Sequence, residues 1–201
     1  MPFDARIHHR RSLRLPRWDY AQPGAYFITL CTFDRALLFG TIEAGQMRLT
    51  TAGETVAGEW RRSREIRAEV ELDEFIVMPN HFHAIVFLRR GACAADEPEP
   101  FRGFEGSPRR SLSALVQGFK ASTTRRINLT EGAGCSPVWQ RNYYERVLRD
   151  DRELHRAREY IIDNPRKWSE DVNNPACVGA IGIRPPRARP VQTGAHPAVQ
   201  P

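Results

Sequence analysis

The 201-residue sequence predicts an α+β domain built on an antiparallel sheet. Three observations carry that prediction. Short runs rich in β-branched and aromatic residues alternate with longer segments whose apolar residues recur at helical spacing. Two of the runs are separated only by Pro79-Asn80, which marks a hairpin. The resulting order is strand, helix, strand, strand, helix, strand, helix. That order fits a ferredoxin-like layer, with helices packed on one face of the sheet and the other face left for ligand.

Pro23-Gly24 marks a turn, and residues 25–33 (AYFITLCTF) read as the first strand. Residues 38–49 place Gly40 and Gly45 between apolar residues and suggest a small hairpin. Residues 51–66 (TAGETVAGEWRRSREI) read as a helix with Val56, Trp60 and Ile66 on one face, although Gly53 and Gly58 lower its propensity. Residues 70–78 and 81–88 are the hairpin strands. Residues 89–109, rich in Gly, Pro and charge, read as a flexible insertion. Residues 111–129 form a helix with Leu112, Leu115, Val116, Phe119, Thr123 and Ile127 at helical spacing. A loop covers 132–137, and the centre of 138–148 (VWQRNYYERVL) reads as a strand. Asp150 caps a helix from 151 to about 163, with Leu154, Ala157, Tyr160 and Ile161 on one side. Pro165 ends it, because a proline pushes the preceding residue out of the helical region. The chain thus divides into a basic arm (1–20), a folded domain (21–168) and a Pro- and Arg-rich tail (169–201) expected to be disordered.

Hydrophobic residues make up 41% of the chain, enough for a core, and a mean hydropathy of −0.52 leaves no membrane span. The N-terminus is basic without the apolar stretch of a signal peptide, so a cytoplasmic protein is expected. Cys31, Cys93, Cys135 and Cys177 are far apart and form no CxxC pair, which argues against a zinc ribbon. Net charge is +6, and Lys120 and Lys167 are the only lysines among 30 cationic residues. The planar arginine fork suits phosphate, so a polyanion is expected as partner, nucleic acid ahead of a membrane surface.

The most telling segment is residues 74–88 (EFIVMPNHFHAIVFL), with His81 and His83 two positions apart in a strand pattern. Side chains at i and i+2 share a face, so the two imidazoles stand together, as a divalent ion requires. The alternative is a pair of half-buried histidines bonded to backbone or water. In the last helix, Tyr160 and Asn164 are four residues apart and share a face. An Asn oxygen is a hard ligand suited to Mg²⁺ or Mn²⁺, and imidazole tilts the choice toward Mn²⁺ or a later metal. If that face packs over the histidine strand, the Tyr160 hydroxyl is aimed at a phosphate polarised by the ion, and a phenolate is a competent nucleophile. The alternative is a core tyrosine and an Asn that merely ends the helix. A small-molecule metal hydrolase would explain the histidines but neither the charge nor Tyr160.

His81-Phe82-His83 after Met78-Pro79-Asn80, with residues 139–145 (WQRNYYE) and 160–165 (YIIDNP), resembles the REP-associated tyrosine transposases of the single-tyrosine HUH superfamily. Residues 10–16 (RRSLRLP) and 24–29 (GAYFIT) fit as well, so the resemblance spans roughly residues 10–170. It implies an HUH-type fold and a metal-dependent single-strand DNA endonuclease and strand transferase. The implied partners are imperfect hairpins of repetitive extragenic palindromes, met in the nucleoid by a monomer rather than a homodimer. By position, His81 and His83 match the metal ligands, Asn164 a further ligand, and Tyr160 the nucleophile that forms a 5′-phosphotyrosine. Asn164 departs from the Gln of insertion-sequence enzymes. Tyr143 and Tyr144 are rival nucleophiles, expected instead to pack or to stack on bases. Candidate DNA contacts are Arg10, Arg11, Arg14 and Arg17 in the arm, then Lys120, Arg125, Arg126, Arg141, Arg166 and Lys167. The competing reading is a DNA- or RNA-binding protein of the same fold that has lost strand transfer.

Overall fold

The computed structural model describes residues 22–89, 110–132 and 134–180. Its centre is a four-stranded antiparallel sheet. In chain order the strands are β1 (Gly24–Cys31), β4 (Val70–Met78), β5 (His81–Leu88) and β6 (Tyr144–Leu148), arranged in space as β4-β5-β1-β6. The expected hairpin within 38–49 forms a separate two-stranded sheet, β2 (Gly40–Glu43) and β3 (Gln46–Leu49). Three longer helices follow: α1 (Thr51–Ile66), α2 (Leu112–Glu131) and α3 (Asp151–Asp163). Each begins on a side-chain cap: Thr50 accepts from Gly53 N, Ser111 from Ala114 N, and Asp150 from Glu153 N.

Strand alternation explains why this sheet is covered on both sides. Tyr26, Ile28 and Leu30 of β1 and Phe82, Ala84 and Val86 of β5 face α1 and α2 in the main core. There Trp60 meets Phe82 and Phe119 edge-on, each with ring centroids 5.1 Å apart. The intervening positions mix the polar Thr29, His81 and His83 with apolar residues. Phe27, Ile85 and Leu148 form a second cluster with Ile161 of α3, flanked by Leu154 and Ala157. The expectation of helices on one face only is therefore corrected: α1 and α2 cover one face and α3 the other. A bulge in β4 between Leu72 and Phe75 accompanies this packing, and Asp73 within it binds Arg158 of α3 through Nε at 2.8 Å and Nη2 at 2.7 Å.

Other boundaries shift for local reasons. β1 stops at Cys31, and Phe33–Arg35 form a 3₁₀ turn in which Asp34 and Arg35 take positive φ. Within 138–148 only Tyr144–Leu148 is strand, while Trp139 makes an isolated bridge to Thr32. Ile66, expected on the buried face of α1, is 68% exposed at the end of the helix. The tail expected to be disordered from 169 is ordered at its start, with a 3₁₀ turn at Trp168–Glu170 and a short helix, α4 (Pro175–Ala180). Most of the 89–109 insertion, the 1–20 arm and residues 181–201 lie outside the described residues. No described helix is long and apolar enough to cross a membrane.

The two glycines of α1 differ in kind. A Cβ on Gly53 would sit 2.2 Å from the Phe39 carbonyl oxygen, so glycine there permits close approach of α1 to the chain entering β2. Gly58 is exposed and a Cβ on it meets nothing within 4 Å. Gly58→Ala should therefore raise stability by about 1 kcal/mol through helix propensity. Gly53→Ala should lower it by about 1–3 kcal/mol through overpacking. Urea denaturation of the two variants checks both signs.

Candidate metal centre and its surroundings

The site is built on the β4–β5 turn. Asn80 there is buried, and every polar group of its side chain is used. Its Nδ2 donates to the carbonyls of Arg35 (3.2 Å) and Asn173 (2.7 Å), so Oδ1 faces the next residue and accepts from His81 Nδ1 at 3.0 Å. That bond fixes the His81 tautomer: the proton lies on Nδ1 and the Nε2 lone pair is free. His83 is held in place by Thr29 of β1, with Nδ1 2.8 Å from Oγ1. Thr29 is its cross-strand partner, as Cys31 is of His81. The His83 Nε2 faces the Tyr160 hydroxyl at 3.5 Å.

Three further groups close over this pair. Asp171 Oδ2 lies 3.7 Å from His81 Nε2. The donor atoms of His81, His83 and Asp171 all fall within 4.8 Å of one another, a cluster able to hold a divalent metal ion. Asn164 is buried, and its Oδ1 has no hydrogen-bond partner; neither does His81 Nε2. Two orphaned acceptors of this kind are costly unless something satisfies them, and a cation satisfies both. The Trp168 ring, 5.9 Å from that of His81, roofs the site.

Burial sets the protonation. His81 is lowered to about 4, because loss of water outweighs the opposing pull of Asp171 and Asn164. His83 lies well below its ordinary value, from burial and then from the His81 charge. Both rings are therefore neutral ligands at neutral pH. Burial pushes the Tyr160 phenol up, with Asn164 acting against that rise. The hydroxyl keeps its proton at neutral pH unless a cation assists.

The structure brings His81, His83, Tyr160 and Asn164 together across β5 and the end of α3. It separates the rival tyrosines. Tyr143 is on the α2 side, its hydroxyl 3.3 Å from Ser113 Oγ and its ring 5.5 Å from Lys120 Nζ. Tyr144 pairs with Thr29 and lines a cavity of about 300 Å³ together with His83 and Tyr160. His155 pairs with Glu159 on the exposed side of α3.

The cationic candidates are dispersed. Lys120, Arg125 and Arg141 line one cavity of about 860 Å³ between α2 and residues 134–141, with no described acidic residue in its wall. Lys120 also ties that segment down, donating to the Gln140 and Asn142 carbonyls, and burial lowers it to about 8. Arg126 pairs with Glu59 at 3.0 Å and Lys167 with Asp163 at 3.5 Å, while Arg166 lies against the β2–β3 turn at Gly45. Arg10, Arg11, Arg14 and Arg17 fall outside the described residues. Sequence reasoning missed Asp171, Asn80, Thr29 and Trp168. Asn80 carried a signal, being the last residue before the histidines, whereas Asp171 lay in a stretch with no period to read.

No family model matches the sequence. The fold is that of a class of solved proteins: the structure of a REP-associated tyrosine transposase bound to a REP hairpin superposes with a TM-score of 0.52 at 21% identity, covering 77% of this chain and 73% of that one. At the level of sequence, an uncharacterized protein of Haemophilus influenzae is 35% identical over 175 residues, 84% of this chain and 95% of the relative. The chain belongs to the same family as that protein.

Two outcomes follow from the geometry. With both histidine values depressed, the unfolded chain binds more protons than the native one between about 4 and 6.5. Stability is therefore complete above that window and falls as pH drops through it; a variant with Gln at both positions should show a flatter profile in urea melts across pH. Titration with Mn²⁺ by calorimetry should give one site, weakened about ten-fold or more by His81→Ala and by Asp171→Asn.

Proposed function

We propose that this chain is a metal-dependent single-strand DNA endonuclease and strand transferase with Tyr160 as nucleophile. The observation that carries the reading is the convergence of the Tyr160 hydroxyl, 3.5 Å from His83 Nε2, with the unsatisfied His81 Nε2 and Asn164 Oδ1. A spectator histidine pair would have its acceptors satisfied. The strand order supports assignment to the ferredoxin-like HUH type.

His81, His83 and Asn164 are the metal ligands in this reading, with Asp171 within reach of the same centre. A bound Mg²⁺ or Mn²⁺ would stabilise the charge that develops on a scissile phosphate. Tyr160 Oη attacks phosphorus, the bond to the 3′-oxygen breaks, and the phenolic proton is lost to solvent. The products are a 5′-phosphotyrosine and a 3′-hydroxyl that has taken up a proton. No water is consumed, so the ester energy is kept for rejoining to another 3′-hydroxyl. Thr29 and Asn80 orient the rings, and Asn164 favours the phenolate.

Hairpins of repetitive extragenic palindromes are the proposed substrate. The resemblance of residues 78–83, 139–145 and 160–165 supports it, as does the hairpin bound to the similarly folded transposase. The basic arm with Arg10, Arg11, Arg14 and Arg17, and the cavity with Lys120, Arg125 and Arg141, are the proposed phosphate contacts, acting on a monomer in the nucleoid.

Labelled single-stranded hairpins incubated with protein and Mn²⁺ should yield a covalent adduct on a denaturing gel. Tyr160→Phe should abolish the adduct while leaving hairpin affinity within about two-fold, since only a hydroxyl is lost. An adduct that persists in this variant would transfer the role to Tyr144, the other tyrosine in the cavity. Salt-sensitive binding with no adduct under either metal would leave a DNA-binding protein without strand transfer.

A further inference from the structure

The cavity of about 300 Å³ between β6 and α3 opens on the histidine face of the sheet. Its inner wall is the buried Phe27 and His83, with the Tyr160 ring edge-on to Phe27 at 5.9 Å. The exposed Tyr144 and Arg156 stand at its mouth. We propose that this cavity holds the base of one of the two nucleotides flanking the phosphate that Tyr160 attacks, with the Tyr144 ring as stacking platform. The proposal rests on the reading of Tyr160 as nucleophile.

Four features favour a nucleobase. The cavity contains Tyr160 itself, so a strand whose phosphate lies at that hydroxyl presents a neighbouring base to this opening. Its walls at Phe27, Leu148 and Ala157 are apolar, while Tyr144 is a flat aromatic 40% exposed beside them, the arrangement that binds bases of any sequence by stacking. Arg146 is neutralised by Glu153 at 2.9 Å, and Glu153 also accepts from Arg149 N, giving a fixed edge of donors and acceptors without net charge. Arg156 makes no ion pair with a described residue: its Nε bonds only its own helix at Arg152 O, leaving the guanidinium end for a backbone phosphate.

Alternation places Tyr144 here. Its register with Thr29 puts it on the histidine face, and Tyr143, one residue earlier, goes to the α2 side. Tyr144 is thus a positioning residue that sets which phosphate reaches the nucleophile.

The test uses Tyr160→Phe protein, so no cleavage intervenes, and the tightest binder from a panel of REP-type hairpins with single-stranded flanks. 2-Aminopurine is placed at each flank position in turn. One of the two positions bordering the scissile phosphate should be quenched on binding. Tyr144→Ala should relieve the quench and weaken binding about ten-fold, and Tyr144→Phe should preserve both. An abasic site at that position should cost the parent protein a similar factor and cost Tyr144→Ala nothing further. Losses that multiply independently, or a Tyr144→Phe as damaging as Tyr144→Ala, would overturn the subsite. Adduct formation by the wild-type protein with independent losses removes the subsite alone. Coupled losses without any adduct remove the nucleophile, and binding to no hairpin removes both.

Discussion

One buried side-chain amide organises this molecule. Asn80 occupies the turn between β4 and β5, and its three side-chain bonds reach Arg35, Asn173 and His81. Its own carbonyl accepts from Thr32 N and Thr32 Oγ1. Two stretches distant in sequence, Thr32 to Arg35 after β1 and the segment beyond α3 at Asn173, are thereby bound to the turn that leads into His81. Leaving any of these polar groups unpaired in the interior would cost on the order of 1–3 kcal/mol each. The same bonds that make the turn stable also decide which nitrogen of His81 carries its proton, so architecture and ligand chemistry are one constraint.

Burial does the remaining electrostatic work. Two imidazoles with ring centroids 4.6 Å apart would repel if both were charged, and exclusion of water keeps them neutral. Asp171 supplies one negative charge beside them. The centre therefore has neutral donors, one carboxylate and an adjacent phenol, a set that could hold a divalent cation.

Much of this was legible in the chain, and the reasons are local. Strand period alone put His81 and His83 on one face, and helical period put Tyr160 over Asn164; both rules depend on backbone geometry that tertiary contacts do not override. The second helical face was harder to see. Phe27, Ile85 and Leu148 alternate with the main core residues, so β1 and β5 carry apolar residues on both faces, and such a pattern does not say which side a helix takes. Asp171 was illegible for a different reason. It is placed by contacts from Asn80 and Arg35 to Asn173, distant in sequence, in a segment whose composition resembles an unstructured tail. Tyr144 could be assigned to a face only once its pairing with Thr29 was known, because the strand that carries it begins at that residue.

The unequal coverage of the two sheet faces divides the molecule energetically. α1 and α2 share an extensive core centred on Trp60, Phe82 and Phe119, whereas α3 rests on a smaller patch around Ile161, on the Tyr160 ring against Phe27 and His83, and on the Arg158–Asp73 and Arg146–Glu153 pairs. Elements with fewer buried apolar contacts open locally at lower cost, which ranks α3 ahead of α1 and α2. Because α3 carries Tyr160 and leads into Asn164 and Asp171, its opening would disassemble the candidate centre without melting the protein. In the proposed reaction, a strand joined to Tyr160 would travel with the helix, and exchange of one strand for another would depend on how often α3 lifts from the sheet.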